Sequence, residues 1–214
     1  DIVEYYIDNG QLGEAMASME IAYEQYPFSA GFLIKKAQIL TILERLNEAE
    51  SILDTAETLE PSNVDLYIAK GSILSKRKKH HEALKQFHKS KSLSDDPIDV
   101  YPFIAFEYQC LGKFYDAIKY LSEFLAVEPE DDIAIFNIAY CFERLDAYDD
   151  AVNFFSKLIE QTPYCEITWY QLGLFYNKNK DYKKAVWALD YAILIDECFT
   201  VGYHEKARSL TQLG

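Results

Sequence analysis

The 214-residue chain is half apolar, enough to fill a core, and sets 35 Asp and Glu against 21 Lys and Arg for a formal charge of −14. That excess argues against DNA, RNA or an anionic membrane surface as the principal partner. No apolar run is long enough to span a bilayer, the sequence opens on Asp1 without Met, which suggests that a leader or earlier repeats were removed, and eight Gly with six Pro favour long helices joined by brief turns over strand-rich folds.

A fixed period organises the elements: Ala15, Ala49, Ala83, Ala117, Ala151 and Ala185 stand 34 residues apart. With each alanine at position 20 of a unit, the chain divides into a partial repeat 1–29, full repeats 30–63, 64–97, 98–131, 132–165 and 166–199, and a partial repeat 200–214. The partial repeat 1–29 closes its second helix with Pro27, which cannot continue it. Repeat 30–63 places Ala37 twelve residues before Ala49 and Pro61 twelve after. Repeat 64–97 keeps the small column with Gly71 but has Asp95 for proline and Ser90 at a usually apolar place. Repeat 98–131 carries Ala105, Pro129 and a Pro102 expected in the first turn of its first helix, where a missing N–H is harmless. Repeat 132–165 has Ala139 and Pro163; repeat 166–199 has Gly173 but Glu197 for proline; Ala207 opens a further first helix.

Within a unit, positions 4, 7, 8 and 11 fall on one helical stripe, as Trp169, Leu172, Gly173 and Tyr176 do, and positions 20, 24 and 27 on another, as Ala117, Leu121 and Phe124 do. Each unit therefore reads as two antiparallel amphipathic helices, and neither can bury its stripe alone. Successive pairs must stack, which predicts an all-α fold, a right-handed α-solenoid built as a single domain over 1–214.

Trp169-x2-Leu172-Gly173-x2-Tyr176, and Ala151-x3-Phe155 followed by Pro163, resemble the signature of the tetratricopeptide repeat family, and the resemblance runs over almost the whole chain. It implies that the first helices line a concave groove with positions 2, 6, 9 and 13. Those positions lie opposite the core stripe and would be polar on an ordinary surface helix. Here they hold Phe103, Phe106 and Cys110 beside Asp99, then Ile133, Asn137, Tyr140 and Arg144, then Ile167, Gln171, Leu174 and Lys178. Position 5 adds Ile68, Phe136 and Tyr170 on the flank. An apolar floor with polar edges suits an extended peptide or one face of a helix, with Asn137, Gln171 and Asn177 as amides that fix its direction. The competing reading is that neighbouring first helices cover part of this stripe themselves and the amides face water. The clamp by which some family members hold a chaperone's terminal carboxylate is not reproduced: the corresponding residues are Ile34, Gln38, Ala69, Asp99 and Phe103.

Repeat 64–97 has eight Lys or Arg against four acids, and Lys76, Arg77, Lys78 and Lys79 read as an exposed basic patch at its turn. No aromatics interleave it, so an acidic protein, or acidic repeats of another copy, fits it better than nucleic acid. Catalytic groups do not converge. His81-Glu82 and His204-Glu205 begin like zinc motifs but reach Lys85 and Arg208 where the second His is needed. Cys110, Cys141, Cys165 and Cys198 form no metal-type spacing and read as reduced thiols, placing the chain in the cytoplasm. The expectation is a non-catalytic scaffold without cofactor or metal, binding another protein or peptide. A regulatory segment of a longer enzyme or sensor, and a self-associating module, stand as alternatives.

Overall fold

The computed structural model describes residues 2–214, all helix and turn, as two compact units divided after Glu107. The first unit holds α1 (Ile2–Asp8), α2 (Leu12–Gln25), α3 (Ala30–Ile42), α4 (Leu46–Leu59), α5 (Val64–Lys76), α6 (His80–Leu93), a 3-10 turn (Ile98–Val100) and most of α7 (Tyr101–Cys110). The second continues from the end of α7 through α8 (Phe114–Leu125), α9 (Asp132–Arg144), α10 (Tyr148–Gln161), α11 (Glu166–Lys178), α12 (Tyr182–Ile195) and α13 (Thr200–Leu213). Within each unit, neighbouring helices pack in sequence as hairpins, the arrangement of an α-solenoid.

The second helices begin at Leu12, Leu46, His80, Phe114, Tyr148 and Tyr182, in step with the alanine column. Ala15, Ala49, Ala83, Ala117, Ala151 and Ala185 are all 0% exposed. Their methyl groups sit where the two helices of a hairpin approach most closely, so a longer side chain would force the pair apart. The partner column is small for the same reason. A Cβ on Gly173 would lie 2.7 Å from Leu189 Cγ, and one on Gly71 would strike the ring of Phe87.

The terminal prolines do more than stop a helix. Trp169 Nε1 donates to the Pro163 carbonyl at 2.9 Å, and Tyr67 Oη donates to that of Pro61 at 2.6 Å. An aromatic at position 4 thus latches onto the end of the preceding repeat and satisfies a carbonyl that the helix leaves open. Asn63 and Asp131 cap α5 and α9 through the backbone N–H groups of Leu66 and Ala134. Pro97 stands at the equivalent place before α7 and offers no such side chain; there the chain makes a 3-10 turn, and α7 starts at Tyr101 with Pro102 in its first turn.

A second column is written in the backbone. Gly10, Glu44, Lys78, Gly112, Asp146 and Lys180, again 34 residues apart, all adopt left-handed φ between 52° and 72°. In each turn the next residue donates to the carbonyl five places back, from Gln11 to Tyr6 at 2.8 Å through Asp181 to Tyr176 at 2.9 Å, closing the first helix. Nothing lies within 4 Å of a Cβ placed on Gly112, so Gly112→Ala isolates the backbone cost. It is expected to lower stability by about 1 kcal/mol in urea titration, while Lys180→Gly moves the midpoint the other way.

Candidate functional site

In the second unit the first helices α9, α11 and α13 present an open face. A cavity of about 440 Å³ is lined by Tyr170, Leu174, Asn177 and Lys178 of α11, by Glu205, Arg208, Ser209 and Gln212 of α13, and by Glu143 of α9 and Tyr182 of α12. Leu174 and Lys178 sit at groove positions 9 and 13 and Tyr170 at the flanking position 5, whereas Asn177, at position 12, was singled out as a polar amide. Glu205, Arg208 and Gln212 occupy positions 6, 9 and 13 of the partial repeat, so extending the same phase past residue 200 finds them too.

The polar groups are arranged around Asn177. Its Oδ1 accepts from Ser209 Oγ at 2.8 Å, and its buried Nδ2 has no hydrogen-bond partner among the described residues. The single Ser209 proton is shared with the Glu205 carbonyl, also 2.8 Å from Oγ, so the hydroxyl keeps an acceptor if Asn177 is replaced. Lys178 pairs with Glu143 at 3.4 Å and Arg208 with Glu205 at 3.7 Å, giving a rim of both signs. Tyr170 packs edge-on against Phe199 at 5.3 Å; burial, with the Glu205 charge adding, pushes its phenol up, so it remains a hydrogen-bond donor at neutral pH.

The rest of the α9 floor is apolar and accessible: Ile133, Phe136 and Tyr140 are exposed. Tyr140 meets Phe114 edge-on at 6.0 Å and Arg144 lies over the same ring at 5.4 Å. Asn137 is already engaged, donating to the Ile133 carbonyl at 2.8 Å and accepting from Gln109 at 3.2 Å. Gln171 and Ile167 are buried and do not reach the open surface, because on α11 these positions turn into the packing between helices. Cys141, also buried, takes a hydrogen bond from Gln109; burial pushes its thiol up against the lowering effect of that bond, which holds it in the unreactive protonated form.

In the first unit Phe103 stacks on Phe87 at 5.5 Å and keeps an exposed edge, and Phe106 is exposed. The basic run is less of a free charge than its sequence implies. Lys76 pairs with Glu44 at 2.7 Å, Arg77 with Glu50 at 2.8 Å, and Lys79 with Glu82 at 3.3 Å, while Lys78 occupies a left-handed turn position. Acids of the preceding hairpin offset much of it. Sequence reasoning also passed over Glu107, which is 1% exposed and lies 2.7 Å from His80 Nδ1. Its signal was an acid within the apolar first helix of repeat 98–131.

Among the described residues no three His, Cys, Asp or Glu side chains gather to hold a metal, and no helix is long and apolar enough to cross a membrane. Tetratricopeptide repeat family models match residues 108–164 and 167–197. No curated protein matches the chain. Among solved structures, the chain is similar to YrrB, described as a TPR protein with an unusual peptide-binding site, at 24% identity and a TM-score of 0.60, covering 88% of this chain and 97% of that one. The C-terminal part of a TPR repeat-containing protein from Cytophaga hutchinsonii aligns at 17% identity and a TM-score of 0.67, over 91% and 78% of the two chains. MamA aligns at 20% and 0.59, over 76% and 95%. At these identities the likeness is one of fold.

Proposed function

Because the chain is a tetratricopeptide repeat protein, we propose that it works as a non-catalytic scaffold which seats a peptide or helix of a protein partner on the α9, α11 and α13 face. The observation that carries this reading is the unpartnered Asn177 amide, buried at the wall of a cavity whose other walls are aromatic, aliphatic and charged. A ligand's main-chain carbonyl would accept from it. Tyr170 and Leu174 supply apolar contact, and Lys178 and Arg208 attract acidic side chains at the rim. YrrB, a neighbour in fold, is described as having an unusual peptide-binding site, which supports a peptide as the class of ligand.

A random-sequence peptide array probed with the chain tests the assignment. Asn177→Ala is expected to weaken the selected peptides about 2- to 12-fold, the value of one hydrogen bond, with Leu174→Ala costing at least as much. Unchanged binding by both variants, each with an unaltered melting curve, removes this face from consideration.

A further inference from the structure

The outward stripe of α12 differs from its counterparts along the chain. Positions 22, 26 and 29 are Ser51, Thr55 and Thr58 on α4 and Asn153, Lys157 and Glu160 on α10; on α12 they are Trp187, Tyr191 and Leu194. These three are 47%, 40% and 73% exposed. The polar triplets of α4 and α10 are exposed as well, although a further hairpin packs beside each within its own unit, so this stripe faces outward whatever hairpin follows. The α12 aromatics are also held rigidly. Tyr191 stacks on Trp169 at 4.5 Å, and Trp187 meets both rings edge-on at 5.3 Å. A fixed aromatic platform loses little side-chain entropy when it is covered.

The charges at its two ends select the occupant. Lys184 is committed to Asp181 at 2.9 Å and Asp190 to Lys206 at 2.5 Å. Lys183, one turn before Trp187, and Glu197, just beyond the helix, are exposed and make no ion pair among the described residues. Trp187 and Tyr191 stand two residues either side of Leu189, with Lys183 six residues before it and Glu197 eight beyond it, past the end of the helix. The stripe is therefore complementary to itself when turned end for end, the property an isologous interface requires.

We propose that α12 pairs antiparallel with α12 of a second copy across a two-fold axis. Trp187 then meets Tyr191 of the partner subunit, Lys183 faces Glu197 of the partner subunit, and Leu194 closes each end. This surface is separate from the peptide face, so either assignment can fail alone.

Sedimentation velocity of the full chain, in a concentration series up to about 100 μM, tests it. The expected result is a monomer–dimer equilibrium whose dissociation constant rises about tenfold or more in Leu194→Lys, a variant that leaves the stacked rings in place. Lys183→Glu and Glu197→Lys should each weaken the dimer about threefold, and the double variant should recover it. Net charge cannot account for both losses, since the two single changes move it in opposite directions. A chain that sediments as a monomer throughout, a dimer indifferent to Leu194→Lys, or a charge swap without recovery overturns the proposal.

Discussion

Phe155→Ala is expected to cost about 3–5 kcal/mol, the largest loss from any single truncation considered for this chain. Phe155 is 0% exposed and stands at the centre of the second unit's aromatic core. It stacks on Phe175 of α11 at 5.6 Å, meets Phe154 edge-on at 5.3 Å and Phe142 of α9 at 6.4 Å. Removing the ring withdraws its burial and leaves a hole that the neighbours cannot close, because each is anchored on a different helix. The lost ring pairs add about 0.5–1.5 kcal/mol each at most. Phe155→Leu keeps most of the volume and should cost less than about 1.5 kcal/mol. Stacked repeats need not unfold in one step, so hydrogen exchange is a better reporter than a melting point. Amides of α9, α10 and α11 should lose protection first and most. A uniform loss along the chain, or a change below about 1 kcal/mol, would show that the cluster does not anchor this unit.

The second large effect sets two known tendencies against each other. Alanine in a helix interior is better than glycine by about 1 kcal/mol, so propensity alone predicts that Gly71→Ala stabilises α5. The geometry predicts the reverse. A new Cβ would fall 2.7 Å from one carbon of the Phe87 ring and 2.8 Å from another. The ring is 1% exposed and backed by Phe103 at 5.5 Å, which leaves it no space to withdraw. Overpacking of this kind costs about 1–3 kcal/mol and offsets or exceeds the propensity gain, giving a net loss of up to about 2 kcal/mol in chemical denaturation. Gly71→Ala combined with Phe87→Leu should be less destabilised than the sum of the two single changes, since the smaller side chain makes room for the methyl. A Gly71→Ala variant more stable than the parent would contradict the close approach of α5 and α6.

Much of this fold was legible because the sequence repeats a steric requirement. Ala117 or Ala151 is small for a reason that recurs at every hairpin, so one column of letters locates the helix pairs, and the latch from Trp169 to Pro163 explains why aromatic and proline accompany it. The left-handed column was hidden because only Gly10 and Gly112 mark it by residue type; Glu44, Lys78, Asp146 and Lys180 reach the same φ through the hydrogen bonds around them. Pairing of the basic run was hidden too, since Glu44 and Glu50 reach Lys76 and Arg77 only when one hairpin lies on the next. In the groove, helical phase located the stripe but not its depth. Leu174 and Asn177 line the cavity, whereas Gln171, on the same helix, is turned into the packing.

The turn that joins the two helices of a hairpin is specified by backbone handedness, not by the side chain mounted on it. An acid, a base and a glycine have all been accepted at that place within this one chain, as Glu44, Lys78 and Gly112 show. A lineage can therefore exchange charge there, repeat by repeat, and redraw the electrostatic profile along the rim while the architecture underneath is inherited unchanged.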